Sequence, residues 1–147
     1  MKPESRSYRC LNTYTKLMRA AESVTARVSR KMAEHDLTIS QFGVLEALLH
    51  KGAMCQRDVA AKILKSTGNI TLVVDNLEKQ GLVRRERSVE DRRYYSIVLT
   101  ETGRELAGKA FAQIEAAIIS EMGTLTEEEQ ETLGQLCKKL GLREGKK

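Results

Sequence analysis

Apolar residues recur at steps of three and four through the first part of the chain, which predicts one long amphipathic helix from Tyr8 to Met32. The stripe consists of Leu11, Tyr14, Leu17, Ala21, Val24 and Val28. A helix of this length would span roughly 35 Å at 1.5 Å per residue, long for the core of a domain of this size. We therefore expect its N-terminal end to meet a partner outside its own core.

A second, shorter helix is predicted after Thr38. The stretch Thr38-Ile-Ser-Gln41 has the form of a capping box, in which the hydroxyl and amide side chains satisfy each other's backbone amides. Apolar residues follow at helical spacing, namely Phe42, Leu45, Leu48 and Leu49. Gly52 offers a left-handed stop.

The next two helices resemble a helix-turn-helix. Residues 56–64 carry Val59, Ala60 and Ile63 on one face. Ser66 and Thr67 offer a new N-cap, and Gly81 ends the helix that follows, whose apolar face is Ile70, Val73, Val74 and Leu77. Two short helices joined by a few residues, the second beginning with small polar residues, are typical of DNA-binding units.

A hairpin and two further helices complete the pattern. Residues 82–87 and 94–99 are rich in Val, Ile and Tyr with alternating arginines, which predicts two strands around a turn at residues 88–93. Thr100 caps the next helix, and the capping box Thr126-Glu-Glu-Glu129 opens the last one. The apolar residues of these two helices are Leu106, Ala110, Ile114, Ala117, Ile118, Leu133, Leu136 and Leu140.

These elements predict a mainly α fold in which a helix-turn-helix is followed by a two-stranded β-hairpin, with further helices at both ends. We expect an N-terminal helix in residues 1–36, the helix-turn-helix and hairpin in 37–100 and C-terminal helices in 101–147, within one domain overall. The chain has 147 residues and no apolar run near the length that a bilayer requires. Its N-terminus lacks the apolar core of a signal peptide, so we expect a cytoplasmic protein without a membrane partner.

Charge is segregated along the chain. Residues 1–31 carry eight Lys and Arg against two Glu, and residues 56–93 carry nine against six acids. Residues 100–140 carry four basic side chains against eight acids. This arrangement favours an anionic partner on one side of the protein, although an ordinary solvated surface would have the same composition.

Two surfaces are candidates for nucleic-acid contact. Burial of the apolar face of residues 67–80 turns Gly68, Thr71, Leu72, Asp75 and Lys79 outward, with Asn69 and Asn76 on the flanks. The hairpin carries arginines that could enter a minor groove, with Asp91 able to brace one of them. The alternatives are a plain solvated helix and a polar turn whose charges pair with one another.

The combination of motifs resembles the MarR family of winged-helix transcriptional regulators, over about residues 10–140. The resemblance is carried by four segments: Thr38 to Leu45, Thr67 to Thr71, Asn76 to Arg85 and Asp91 to Gly103. It implies a winged helix-turn-helix with a two-stranded β-wing, in which residues 37–100 bind DNA and the helices in 1–36 and 101–147 intertwine as dimerisation helices. It also implies a homodimer on a double-stranded, pseudo-palindromic DNA operator, and most simply a repressor. The implied DNA-binding residues are Gln56, Ser66, Thr67, Gly68, Asn69, Thr71, Asn76, Arg85, Asp91, Arg92 and Arg93.

Within that set the resemblance implies different roles. Thr67, Asn69, Thr71 and Asn76 would approach the major groove, and Gln56 would lie near a phosphate. Arg92 or Arg93 would make the minor-groove contact of the wing. Leu72 stands where many relatives have a polar or charged residue, so recognition at that position would be apolar or absent.

The resemblance also implies a switch, either a small aromatic or anionic effector or oxidation of a cysteine. Tyr14, Met32, His35 and Phe42 are candidates for an effector pocket, and their alternative interpretation is as core residues at helical spacing. Cys10 lies near Arg6 and Arg9, and cationic neighbours favour the reactive thiolate. A redox-sensing regulator that uses Cys10 is thus an alternative.

An enzyme is not expected. His35 and His50 have no triad or metal-ligand pattern around them, and the chain has no phosphate-binding glycine loop, so we expect neither a metal nor another cofactor. The three cysteines, Cys10, Cys55 and Cys137, are widely spaced and are expected to be free thiols. The remaining rival is a protein-interaction scaffold that binds through its acidic C-terminal helices.

Overall fold

The computed structural model describes residues 2–63 and 67–145, with Thr67 and Gly68 described by their helical backbone alone. The elements in chain order are α1 (Arg6–Ala33), α2 (Ile39–Lys51), β1 (Met54–Cys55), α3 (Gln56–Lys62), α4 (Thr67–Lys79), β2 (Val83–Arg87), β3 (Tyr95–Leu99), α5 (Glu101–Met122) and α6 (Glu127–Gly141). The chain divides into two compact units, residues 1–114 and residues 115–147. The predicted mainly α, winged-helix class is confirmed.

The sheet has one strand more than the sequence predicts. Residues 54 and 55 form a short strand that pairs antiparallel with β3, so the order is β1-β3-β2. Two residues are too few to show an alternating pattern, which is why this segment reads as part of a turn. Because β1 leads directly into α3, the pairing ties the start of the helix-turn-helix to the strands of the wing.

Helix ends follow the predicted capping chemistry. The Thr38 hydroxyl accepts from the amide of Gln41 at 3.1 Å, and the Gln41 side chain accepts from the amide of Thr38 at 3.0 Å. Thr126 and Glu129 repeat the arrangement at the start of α6. Gly52 and Gly81 end α2 and α4 with φ angles of 80° and 72°, which glycine adopts without steric cost.

The hydrophobic core of the first unit fixes the orientation of α4. Three α4 residues, Ile70, Val74 and Leu77, are fully buried as predicted, and Val73 is half-buried. The remainder of the core comes mainly from α1, α2, α3, β2, β3 and α5, with Val28, Met32, Leu45, Leu48, Val59, Val83, Ile97, Ala110 and Ile114 among its members. With its inner face held in this way, α4 presents a defined outer face to solvent.

The junction between β3 and α5 joins the wing to the end of α4. The Thr100 hydroxyl accepts from the amide of Gly103 at 3.0 Å and donates to the carbonyl of Gly81 at 2.6 Å. Gly103 lies so close to Leu82 that a Cβ at position 103 would overlap the Leu82 carbonyl oxygen and lie 2.8 Å from its carbon. The backbone of α5 can approach the α4–β2 turn this closely only because residue 103 is glycine.

The second unit contains the end of α5, a turn and α6. The Gln130 side chain donates to the carbonyls of Met122 and Leu125 at 3.0 and 3.1 Å, which fixes the turn. None of the α6 side chains is buried, and Leu133, Leu136 and Leu140 are exposed. Within the described residues, no helix combines the length and apolarity that crossing a membrane requires.

Candidate nucleic-acid interface

The outer face of α4 carries the polar side chains that the sequence predicts there. Asn69, Thr71, Leu72 and Asn76 are all exposed, and Leu72 is the most exposed apolar side chain of the helix at 63%. Thr67 lies at the first position of α4, followed by Gly68. Ser66, the remaining predicted contact of this region, lies outside the described residues.

The start of α3 is hydrogen-bonded to this face. The Gln56 side chain donates to the Thr71 hydroxyl at 2.6 Å, so two of the predicted DNA-binding residues lie together. Gln56 is the first residue of α3, and β1 holds that end of the helix against β3. The contact therefore links both helices of the helix-turn-helix to the wing sheet.

Arg85 joins the wing to α4 instead of projecting into solvent. Its Nη2 lies 2.6 Å from Asp75 Oδ1 and its Nη1 lies 3.0 Å from Glu78 Oε1. Its backbone amide also donates to Glu78 Oε2 at 3.1 Å, and its side chain is only 23% exposed. We call Arg85, Asp75 and Glu78 the helix–wing clamp. The guanidinium of Arg85, which the resemblance implies as a DNA contact, is thus paired with two acids of α4, and the clamp neutralises both of them.

The clamp was not foreseen from the sequence, although a signal for it exists. Asp75 and Glu78 are three residues apart and so share one side of α4. Strand alternation places Arg85 on the same face as the buried Val83 and Ile97, toward the interior. An arginine on the inner face of a strand requires an acidic partner, and these two carboxylates are the available pair.

Replacing Arg85 by alanine is expected to lower the free energy of unfolding by about 1.5–3 kcal/mol, because charge-assisted hydrogen bonds of a partly buried arginine are lost. Arg84→Ala is the matched control, since Arg84 lies on the opposite strand face and pairs with Glu86 in an exposed ion pair. That change should cost less than about 1 kcal/mol. Urea unfolding at one protein concentration measures both, and equal losses for the two variants would contradict the clamp.

Arg92 and Arg93 lie in different environments at the tip of the wing. Asp91 Oδ2 lies 2.8 Å from Arg93 Nη2, and Asp91 Oδ1 accepts from Arg93 Nε at 3.0 Å and from its backbone amide at 3.1 Å. The Arg93 side chain is still 83% exposed. Within the described residues, Arg92 has no ion pair. Asp91 thus fixes the direction of an arginine that remains free to meet a ligand.

The contact with Arg93 also affects the pKa of Asp91. Hydrogen bonds from the Arg93 side chain, and then from its backbone amide, lower the pKa of Asp91. The carboxylate therefore keeps its charge at neutral pH and its hold on Arg93. The brace is lost only as the pH falls into the range of this lowered pKa, so wing-dependent binding should not change around neutrality.

Arg87 pairs with Tyr95 across the two strands of the wing. Arg87 and Tyr95 are direct partners in the β2–β3 register, and Arg87 Nη2 donates to the Tyr95 hydroxyl at 3.1 Å. The Arg87 guanidinium also lies 5.6 Å from the centre of the Tyr95 ring. This hydrogen bond and the positive charge of Arg87 lower the pKa of Tyr95. The pair was missed because cross-strand partners depend on the register, which the sequence does not give directly.

An open groove of about 760 Å³ lies beside these elements. One wall comes from β1 and the start of α3, with Gln56 and Arg57, and the other from the wing, with Arg93 and Tyr95. Basic and hydrogen-bonding side chains line both walls, together with the acids Asp58, Glu90 and Asp91. The groove has the chemistry to contact a polyanionic strand running between the helix-turn-helix and the wing.

The candidate effector residues do not share one environment. Met32 and Phe42 are members of the hydrophobic core, whereas Tyr14 is exposed on α1. His35 Nε2 lies 3.1 Å from Gln113 Oε1, which links the end of α1 to α5. Cys10 is an exposed free thiol on α1, and its redox role stays a prediction.

Comparison with known proteins shows which proteins resemble this chain in sequence and structure. The model of the MarR family matches residues 37–95, the span from the start of α2 to the wing. The chain is 36% identical over 132 residues to the HTH-type transcriptional regulator MhqR of Bacillus subtilis, covering 90% of this chain and 91% of that protein.

Two solved structures are similar over nearly the whole chain. AbsC, a MarR family transcriptional regulator from Streptomyces coelicolor, has a TM-score of 0.85 at 21% identity and covers 97% of both chains. Bordetella bronchiseptica BpsR, whose DNA binding is regulated by 6-hydroxynicotinic acid, has a TM-score of 0.80 at 25% identity and covers 96% of both. The helix-turn-helix, the wing and a relative that is 36% identical over 90% of this chain together show that the chain belongs to the MarR family of DNA-binding transcriptional regulators.

Proposed function

We propose that the protein binds a pseudo-palindromic DNA operator as a homodimer, represses transcription there and is released by a small effector. The observation that carries this proposal is the pairing of α4, whose inner face is fully buried, with a wing arginine that Asp91 holds in one direction. A helix of fixed orientation can enter a major groove. An aimed, exposed guanidinium is suited to the negative potential of the minor groove beside it.

The intervening DNA strand would run along the groove between α3 and the wing. Arg57 would supply positive charge there, and Gln56 would supply a side-chain amide to that DNA strand. Each phosphate that is neutralised releases counterions, so affinity should fall with salt by a log–log slope of about −0.9 per phosphate. Where the operator overlaps a promoter, a protein that occupies both grooves excludes polymerase from that DNA and so represses transcription.

Exposed apolar rows support dimerisation. The N-terminal part of α1 exposes Leu11, Tyr14 and Met18, and α6 exposes Leu133, Leu136 and Leu140. Two such rows are more apolar surface than a monomeric helix normally leaves in water. A second copy of the chain would cover them by two-fold symmetry, and the same symmetry predicts half-sites about one helical turn, ~34 Å, apart.

Leu136→Glu is expected to weaken the dimer at least tenfold, because each of two copies loses roughly 1.5–3 kcal/mol of leucine burial. Gln135→Glu is the matched control at the preceding position of the same exposed helix, and it should leave the dimer intact. Sedimentation velocity over a range of protein concentrations measures both. A monomeric wild-type protein, or equal behaviour of the two variants, would contradict dimerisation through α6.

An effector is supported by the likeness to BpsR, whose DNA binding responds to 6-hydroxynicotinic acid. That ligand combines an aromatic ring with a carboxylate, the class of compound expected for this chain. His35 bridges α1 and α5 through Gln113, so a ligand that displaced this contact could alter the position of α1. We propose this class of effector without assigning the compound.

The function is tested by footprinting of genomic DNA fragments with the purified protein, beginning upstream of its own gene, at two salt concentrations. We expect a footprint with two-fold symmetry that weakens as salt rises. A folded dimer that protects no fragment at either concentration would overturn the operator proposal and favour a protein-binding scaffold.

A further inference from the structure

Leu72 is an apolar side chain on an otherwise polar outer face of α4. It is 63% exposed, and it lies one turn before Asn76 and one turn after Asn69 on the same side of the helix. The apolar residues that hold α4 to the core, Ile70, Val74 and Leu77, lie on the other side and are fully buried. The packing of α4 against the core therefore does not explain why position 72 carries a leucine.

The position of Leu72 gives it a function if α4 enters a major groove, as the proposed function requires. The floor of that groove presents hydrogen-bond donors and acceptors at every base pair, and its one apolar group is the 5-methyl of thymine. A leucine placed against any other base edge would remove polar atoms from water and offer them no partner, which is unfavourable. Contact with a thymine methyl instead buries two apolar groups against each other.

We propose that Leu72 is a specificity-determining residue that packs against the 5-methyl group of one thymine in each operator half-site. Asn76 lies one turn further along the same face, and an asparagine amide is suited to the N6 and N7 edge of adenine. One helical turn advances 5.4 Å, whereas base pairs are stacked about 3.4 Å apart. The thymine read by Leu72 thus lies within about two base pairs of an adenine read by Asn76.

The test replaces each thymine of the footprinted operator, one symmetric pair at a time, by uracil, which lacks only the 5-methyl group. Affinities are measured by fluorescence anisotropy for the wild-type protein, Leu72→Ala and Leu72→Met. Alanine retains the helix and withdraws the side chain from the base, while methionine retains an apolar side chain of similar reach. Circular dichroism confirms that each variant is folded.

For the wild-type protein, uracil at one thymine pair should lower affinity roughly tenfold or more, since each of two lost methyl contacts is worth about a factor of four. Leu72→Ala should bind the thymine operator correspondingly more weakly and bind the thymine and uracil operators equally. Leu72→Met should keep most of the discrimination.

Two results would overturn the proposal while leaving operator binding intact. The first is that the wild-type protein binds every uracil operator as tightly as it binds the thymine operator. The second is that Leu72→Ala keeps the full preference for thymine, which would assign the methyl contact to another residue. Absence of any discrete footprint would overturn this inference and the proposed function together.

Discussion

Replacing Arg93 by alanine is expected to lower operator affinity roughly 100-fold, because a dimer loses two charge-assisted contacts of about 1.5 kcal/mol or more each. The loss should be large because Arg93 is both exposed and held in one direction by hydrogen bonds from its Nε and Nη2 to the Asp91 carboxylate. A preorganised guanidinium gives up little conformational entropy on binding. Electrophoretic mobility shift on one operator at fixed salt measures the effect.

Arg92→Ala is the matched control for this change. It removes the same charge from the neighbouring position, but Arg92 has no comparable brace within the part of the chain that the structure describes. We expect a loss of less than about tenfold, typical of an unaligned surface charge near DNA. Equal losses for Arg92→Ala and Arg93→Ala would mean that the wing supplies only general positive charge, and would contradict the assignment of Arg93 to the groove.

Replacing Gly103 by alanine is expected to lower the free energy of unfolding by about 3 kcal/mol, at the upper end of the effects of overpacking. The added Cβ would collide with the backbone carbonyl of Leu82, which cannot rotate away as a side chain would. Relief of the overlap requires α5 to move away from the α4–β2 turn, which also breaks the hydrogen bonds of Thr100. Thermal unfolding at one fixed protein concentration measures the change.

Gly108→Ala provides the control for Gly103 within the same helix. A Cβ at position 108 meets nothing within 4 Å. Alanine should therefore stabilise α5 by roughly 0.5–1 kcal/mol through its higher helix propensity. A Gly103→Ala protein as stable as the wild type would contradict the close backbone approach at this junction.

Much of the fold was predictable because its signals are local. Capping boxes act over three residues, and both predicted examples, at Thr38 and Thr126, form as expected. The inner face of α4 follows from the helical period, which burial of Ile70, Val74 and Leu77 confirms. In each case the residues that carry the signal are also the residues in contact.

The rest depends on contacts between distant parts of the chain. The β1 strand consists of two residues and exists only because β3 offers a free edge for Met54 and Cys55. From the sequence, Arg85 is one of several basic residues that could contact DNA. Its partners Asp75 and Glu78 follow only from the packing of β2 against α4. The choice between Arg92 and Arg93 likewise depends on the conformation of the turn at Asp91, which the letters EDRR do not fix.

The central claim, that α4 reads the major groove while the wing enters the minor groove beside it, is tested most directly by methylation interference on the operator. Dimethyl sulfate marks guanine N7 in the major groove and adenine N3 in the minor groove, so each contact is reported separately. We predict that in each half-site N7 methylation blocks binding where α4 lies and N3 methylation blocks it at the adjacent minor groove, with the N3 effect lost in Arg93→Ala. Interference confined to one groove, or an N3 effect that persists in Arg93→Ala, would contradict this arrangement.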